Sequence, residues 1–101
     1  MGTSPVYVFA RWKVKEGKMK EVLLLLTSLR MQTRSEKANL FFQVCQDIND
    51  ANTLLLSEGY GNAAAQQAHV DSDHYKKLVT GGILPMLGER QVFLTTPLEV
   101  E

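Results

Sequence analysis

Residues 6–14 limit the possible folds more than any other segment, because apolar side chains occupy both of its alternating sets of positions. One set includes Val8 and Trp12, and the other includes Tyr7 and Phe9. A strand that is apolar on both faces usually lies at the centre of its sheet. The segment therefore predicts a central β-strand with protein packed against both sides.

The rest of the chain divides into helical and extended segments. Met19, Leu26 and Leu29 recur at helical spacing, turn-forming Asp and Asn residues at 47–52 predict a hairpin, and Asn62 is a candidate N-cap. The predicted strands are 6–14, 39–48, 53–60 and 90–96, and the predicted helices are 19–34, 62–70 and 72–79, with a break at Gly81-Gly82.

The order of these elements, β-α-β-β-α-β, predicts an α+β fold of the ferredoxin-like class with a four-stranded antiparallel sheet. The first and third strands are expected to be neighbours at the centre. Two helices can cover only one face of the sheet, and the other face would then expose several large side chains. We therefore predict a homodimer in which two sheets pack face to face.

Length and charge limit the classes of function. The 101 residues suit a single domain at 6–101 after a flexible lead-in at 1–5. Eleven basic residues balance eleven acidic ones, so binding to nucleic acid or to an anionic membrane is not expected. Cys45 has no partner for an internal disulfide, and no signal peptide or membrane span is visible. These features predict a cytoplasmic protein.

Four short motifs connect the chain with a known family. They are Ser35-Glu36, Glu58-Gly59-Tyr60, Ala68-His69 and Ser72-x-His74-Tyr75-Lys76. With these motifs the chain resembles the antibiotic-biosynthesis-monooxygenase family of small dimeric α+β barrels, which also contains quinol monooxygenases and the isomerase of phosphorylated autoinducer-2. The chain departs from the family pattern at 37–39, where Lys-Ala-Asn replaces the common Pro-Gly-Cys, and at Tyr60, where many relatives have Trp.

Glu58 and His69 are the candidate catalytic residues. Glu58 shares strand parity with apolar neighbours, so it either forms a structural ion pair, with Arg11 as the expected partner, or has a raised pKa and moves protons. His69 lies near the end of a predicted helix, where it either fixes the helix end or acts as a general acid or base. The resemblance implies that this histidine lies at the pocket.

The expected substrate-binding residues are mostly aromatic or basic. They are Tyr60, Tyr75, His74, Arg11 and Trp12, although aromatic residues at such positions often belong to the core. The segment from His69 to His74 has metal-ligand types, but its Asp71 and Asp73 suit helix capping, and no metal is expected. No haem ligand is expected either.

These residues leave three hypotheses for function. The first is a monooxygenase without cofactor, in which a base removes a proton from a small aromatic or quinol-type metabolite that then reacts directly with O2. The second is an isomerase of a small phosphorylated sugar-like metabolite, with Lys76 or Arg34 holding the phosphate. The third is a dimer that binds a small ligand without catalysis.

Overall fold

The computed structural model of the protein describes residues 4–100. Its strands are β1 (Val6–Val14), β2 (Asn39–Asp47), β3 (Asp50–Tyr60) and β4 (Leu87–Thr95). Its helices are α1 (Met19–Arg34), α2 (Ala63–Asp71) and α3 (Asp73–Tyr75), followed by a π-helix (Lys76–Ile83) and a 3-10 turn (Leu84–Met86).

All strand pairs are antiparallel, and the order in the sheet is β2-β3-β1-β4. The predicted ferredoxin-like fold, with the first and third strands at the centre, is confirmed. Val8 lies opposite Glu58 in the β1–β3 pair, so the two side chains share one face of the sheet. The helices cover this same face, where they bury Trp12 of β1 with Leu29 of α1 and Val79 of the π-helix.

Several element boundaries differ from those expected. The hairpin is tighter, because Asp47 pairs with Asp50 and its carboxylate accepts the Asn49 N–H at 2.7 Å. The predicted break at Gly81-Gly82 is wrong, since both residues lie within the π-helix. At position 82 a Cβ atom would lie 2.9 Å from Leu25 Cδ1. A larger residue there would require the Leu25 side chain to move, because the π-helix closely approaches α1.

The face of the sheet away from the helices is the open face. Phe9, Leu55 and Phe93 are each about half exposed there, at 44%, 45% and 55%. Tyr7 packs edge-on against Phe41 on the same face, with ring centroids 5.0 Å apart. An apolar surface of this kind is typical of an interface, and the predicted homodimer stays a prediction.

The ends of the described chain run side by side. The Thr96 hydroxyl donates to the Pro5 carbonyl at 2.8 Å, which ties the end of the predicted lead-in to the residue after β4. Residues 1–3 of that lead-in lie outside the described residues. Within residues 4–100, every helix is too short or too polar to cross a membrane.

Candidate active site around His69

His69 is held by the local structure of α2. The helix begins after Asn62, whose side chain accepts the Ala65 N–H at 2.8 Å, as its predicted role of N-cap requires. At the other end, the Ser72 hydroxyl donates to the His69 carbonyl at 2.6 Å. The His69 side chain is only 3% exposed. The two ends of α2 therefore fix a buried imidazole against the sheet.

Glu36 joins both histidines of the chain. Its Oε2 lies 2.8 Å from His69 Nδ1 and 2.5 Å from His74 Nε2. Glu36 follows α1, and its N–H donates to the Thr33 carbonyl at 2.9 Å, so its backbone is fixed as well. One carboxylate oxygen thus ties the connection between α1 and β2 to α2 and α3.

Glu58 approaches the other side of the His69 ring. Its Oε1 lies 3.7 Å from His69 Nε2 and accepts the Tyr60 hydroxyl at 2.7 Å. Burial raises the pKa of Glu58, an effect that the Tyr60 hydrogen bond and the nearby His69 oppose. Burial and the Glu58 carboxylate together raise the pKa of Tyr60. Glu58 is therefore a carboxyl group suited to hold a proton at higher pH than usual.

Two cavities meet at His69. The first, of about 220 Å³, lies between the helices and the β1–β4 part of the sheet. Its apolar lining includes Val8, Ala10, Trp12, Val79, Val92 and Leu94. The second, of about 270 Å³, lies beside α2 and is lined by Glu36, Tyr60 and Ala68 among others. His69 lines both cavities, together with Glu58 in the first and Glu36 in the second.

Three further polar groups line the first cavity. Arg90 of β4 donates to the Tyr75 hydroxyl at 3.1 Å. Trp12 is 3% exposed, and within residues 4–100 its indole N–H has no hydrogen-bond partner. A buried N–H without a partner is costly and is available to a ligand oxygen. Tyr75 packs edge-on against the His69 ring, with the ring centroids 5.2 Å apart.

The predicted pairing of Arg11 with Glu58 is wrong. Arg11 lies opposite Leu55 in the β1–β3 pair, whereas Glu58 lies opposite Val8. The two side chains therefore point to opposite faces of the sheet. Arg11 instead contacts Glu89 at 3.2 Å on the open face, and it lines neither cavity, so a substrate in the first cavity would not touch it.

The structure divides the other predicted site residues. Trp12 and Tyr75 line the first cavity with His69, while Tyr60 lines the second and reaches the first only through Glu58. His74 binds Glu36 and lines neither cavity.

The residues expected to bind a phosphate, and one aspartate of the segment with metal-ligand types, lie away from the site. The cations expected to hold a phosphate, Lys76 and Arg34, line neither cavity. Asp71 does not join the histidines; its carboxylate accepts an amide N–H from Gln67 at 3.1 Å.

The sequence reasoning missed the contacts of Glu36 and Arg90. Glu36 belongs to the Ser35-Glu36 motif that connects the chain with the family, but it lies 33 residues from His69, and no periodicity connects them. Arg90 was expected to begin the last strand, and only the observed pairing with Trp12 places it beside the cavity. The sequence signal was a charged residue before the second strand for Glu36 and one at the expected start of the last strand for Arg90, and both are too common to indicate a site.

Glu36, His69 and His74 also form a possible metal donor set. One carboxylate oxygen and two imidazole nitrogens lie within 4.8 Å of one another, and transition-metal ions accept such donors. In this structure the same atoms hydrogen-bond to one another, because the carboxylate oxygen lies within 2.8 Å of each ring. The donors are thus already paired.

Residues 5–81 match the family model described as antibiotic biosynthesis monooxygenase. The chain is 27% identical over 88 residues to the Bacillus subtilis (strain 168) protein named "Putative monooxygenase YcnE", a match that covers 87% of this chain and 84% of that protein.

Solved structures show the same architecture. Rv0793 from Mycobacterium tuberculosis is similar with a TM-score of 0.88 and 24% identity, over 96% of this chain and 98% of that chain. A conserved protein from Methanosarcina mazei Go1 is similar with a TM-score of 0.86 and 23% identity, over 92% of each chain. At these identities the two structures support the fold alone.

Proposed function

We propose that this chain, which belongs to the antibiotic biosynthesis monooxygenase family, oxidises a small aromatic or quinol-type metabolite with O2 in the first cavity. One observation carries the proposal. The buried imidazole of His69 forms part of the wall of a mostly apolar cavity, and its Nε2 points toward Glu58. A base in such a cavity can remove a phenolic proton where little water competes.

The proposed reaction needs no electrons from outside. A hydroquinone and O2 would give a hydroxyquinone and water. His69 Nε2 takes the phenolic proton, and the electron-rich anion reacts with O2 to form a carbon-bound peroxide anion. The peroxide takes the proton from His69 and becomes a hydroperoxide, so the base is restored. The hydrogen on the same ring carbon then leaves with the outer OH group as water, which breaks the O–O bond and leaves one oxygen atom on the ring carbon.

The remaining polar groups would orient the substrate. The Tyr75 hydroxyl, the Arg90 guanidinium and the Trp12 indole N–H line the same cavity as His69. A phenolate oxygen gains stability from donors of this kind, most of all from a cation at low dielectric. Glu58 holds its proton more readily than an ordinary carboxyl group, which limits the negative charge opposing the substrate anion.

Oxygen uptake with a panel of hydroquinones and polycyclic phenols, without added metal or flavin, tests the proposal. His69→Gln is the better variant, because alanine would leave a cavity and an unpaired Glu36 at a side chain only 3% exposed. We expect uptake by the wild type and a loss of about 100-fold or more in kcat for the variant. Glu89→Gln on the open face is the matched control and should keep full activity.

The result that contradicts the proposal is uptake that His69→Gln leaves unchanged, or no uptake with any member of the panel. An isomerase gains no support from the first cavity, since neither Lys76 nor Arg34 lines it. A dimer that binds a small ligand without turnover would show saturable binding of the same phenols with no oxygen consumed.

The open face is proposed to pair two copies of the chain. Phe9, Leu55 and Phe93 lie on adjacent strands and expose about half of each side chain. Replacing Phe93 by Asp places a charge in this surface, and we expect sedimentation analysis to show a monomer. Leu24→Asp on α1, at a side chain 66% exposed on the other side of the molecule, is the control and should leave a dimer. A wild-type monomer at micromolar concentration would contradict the proposal.

A further inference from the structure

The imidazole of His69 lies between two carboxylates at unequal distances from its two nitrogen atoms. Glu36 Oε2 is 2.8 Å from Nδ1, while Glu58 Oε1 is 3.7 Å from Nε2. A neutral imidazole carries one N–H, and the position of that proton decides which ring nitrogen can accept another. The two carboxylates thus compete for a single N–H.

The geometry favours Glu36 in this competition. Glu36 Oε2 lies within hydrogen-bond distance of Nδ1, whereas Glu58 Oε1 lies too far from Nε2 for a hydrogen bond. Glu58 Oε1 also already accepts the Tyr60 hydroxyl at 2.7 Å. An N–H on Nδ1 satisfies the Glu36 contact and leaves the electron pair of Nε2 on the side of Glu58, which lines the first cavity.

His74 holds Glu36 in place. An ionised carboxylate only accepts hydrogen bonds, so the 2.5 Å contact requires an N–H on His74 Nε2. The Glu36 side chain is 19% exposed, so this second hydrogen bond restrains a carboxylate that would otherwise be free to turn toward solvent. When His69 takes a proton, the same carboxylate is next to the imidazolium and stabilises it.

We propose that Glu36 is a positioning residue that, clamped by His74, fixes the Nδ1–H tautomer of His69 and so presents Nε2 to the first cavity as the base. The expected effect of Glu36 on turnover rests on the proposed function. The tautomer itself is a property of the resting protein.

Nuclear magnetic resonance of the imidazole nitrogens tests the tautomer. The chain has two histidines, so His74→Asn alone assigns both sets of signals. With chelator present and both rings neutral, we expect the wild type to show His69 with its proton on Nδ1. In Glu36→Gln the charge that holds this proton is gone, and we expect the Nε2–H form to appear because Glu58 then faces the ring as the nearest carboxylate.

Turnover provides the second arm. Glu36→Gln should lower kcat by about 10-fold or more with KM changed less than about 3-fold, since Glu36 does not line the first cavity. Glu89→Gln, which makes the same change at an exposed carboxylate of β4, should change neither value. A merely structural role for Glu36 would lower the melting temperature without moving the His69 proton.

Several outcomes overturn the proposal. They are a wild-type His69 with its proton on Nε2, the same tautomer in Glu36→Gln as in the wild type, a moved proton with unchanged kcat, and a metal ion that copurifies on these residues. If the wild type consumes no oxygen with any phenol, the proposed function fails while the tautomer measurement still decides the role of Glu36.

Discussion

Tyr60→Phe gives a quantitative test of the Glu58 environment. The variant removes only the hydroxyl that donates to Glu58 Oε1 at 2.7 Å, within a ring that is completely buried. A hydrogen bond to a neutral group contributes about 1 kcal/mol, and one to a charged group contributes about 1.5–3 kcal/mol. Because the Tyr60 hydrogen bond lowers the pKa of Glu58, its loss should raise that pKa further.

The direction of the pH dependence follows from burial. Burial raises the pKa of Glu58 above its ordinary value of 4.5, so the native state binds this proton more tightly than the unfolded state. The resulting stabilisation is complete below pH 4.5 and is lost as the pH rises through the native pKa. In Tyr60→Phe the native pKa of Glu58 is higher, so the loss of this stabilisation continues to higher pH. The free energy of unfolding should therefore fall below that of the wild type by an amount that grows with pH.

Urea unfolding followed by the fluorescence of the single Trp12 measures this difference. We expect a gap of about 1 kcal/mol near pH 4 that widens to about 1.5–3 kcal/mol near pH 8, at equal protein concentration. Tyr75→Phe is the control, because its hydroxyl bonds to Arg90 rather than to Glu58. A gap for Tyr60→Phe that is the same at both pH values would refute the reasoning.

Three further predictions concern stability. Gly59→Ala should destabilise the protein by about 1–3 kcal/mol in urea titration, because the new Cβ would lie 2.3 Å from the Phe41 ring; an unchanged midpoint would contradict this packing. Asn62→Ala should lower the free energy of unfolding by about 1 kcal/mol through loss of the α2 cap, and an equal loss in Asn62→Gly would argue against it. Hydrogen bonds from Lys13, which has the largest effect, and from Thr53 and the Asn52 N–H lower the pKa of Asp50 from 3.8 to about 2, so its stabilisation is present above pH 3.8 and is lost as the pH falls toward about 2. Acid titration of Asp50→Asn should therefore show a shallower loss of stability in that window, and an identical titration curve would contradict the assignment.

The order and type of the main elements were predictable because each carries its own periodicity. The apolar residues on both faces of β1 and the helical spacing in α1 can each be read within the segment itself, without knowledge of distant residues. The predicted α1 range, 19–34, agrees with the observed one. The π-helix was not predictable, since a glycine pair ordinarily indicates a break, and only its approach to Leu25 explains the small residue at position 82.

The site was only partly predictable because it depends on strand register. Parity correctly placed Glu58 among apolar side chains, yet the register that sends Arg11 to the other face cannot be read from either strand alone. The contact between Glu36 and His74 joins residues 38 positions apart through hydrogen bonds without a sequence period. The roles of His69, Glu58, Tyr75 and Trp12 in catalysis and binding stay predictions.

The central claim is that this chain inserts one atom of dioxygen into its substrate in the cavity beside His69. Turnover of a hydroquinone under isotopically heavy O2, with mass spectrometry of the product and of the water formed, tests it most directly. The account predicts one heavy oxygen atom in the hydroxyquinone, the other in water, and loss of both signals in His69→Gln. A product without heavy oxygen, or with both atoms, would contradict it.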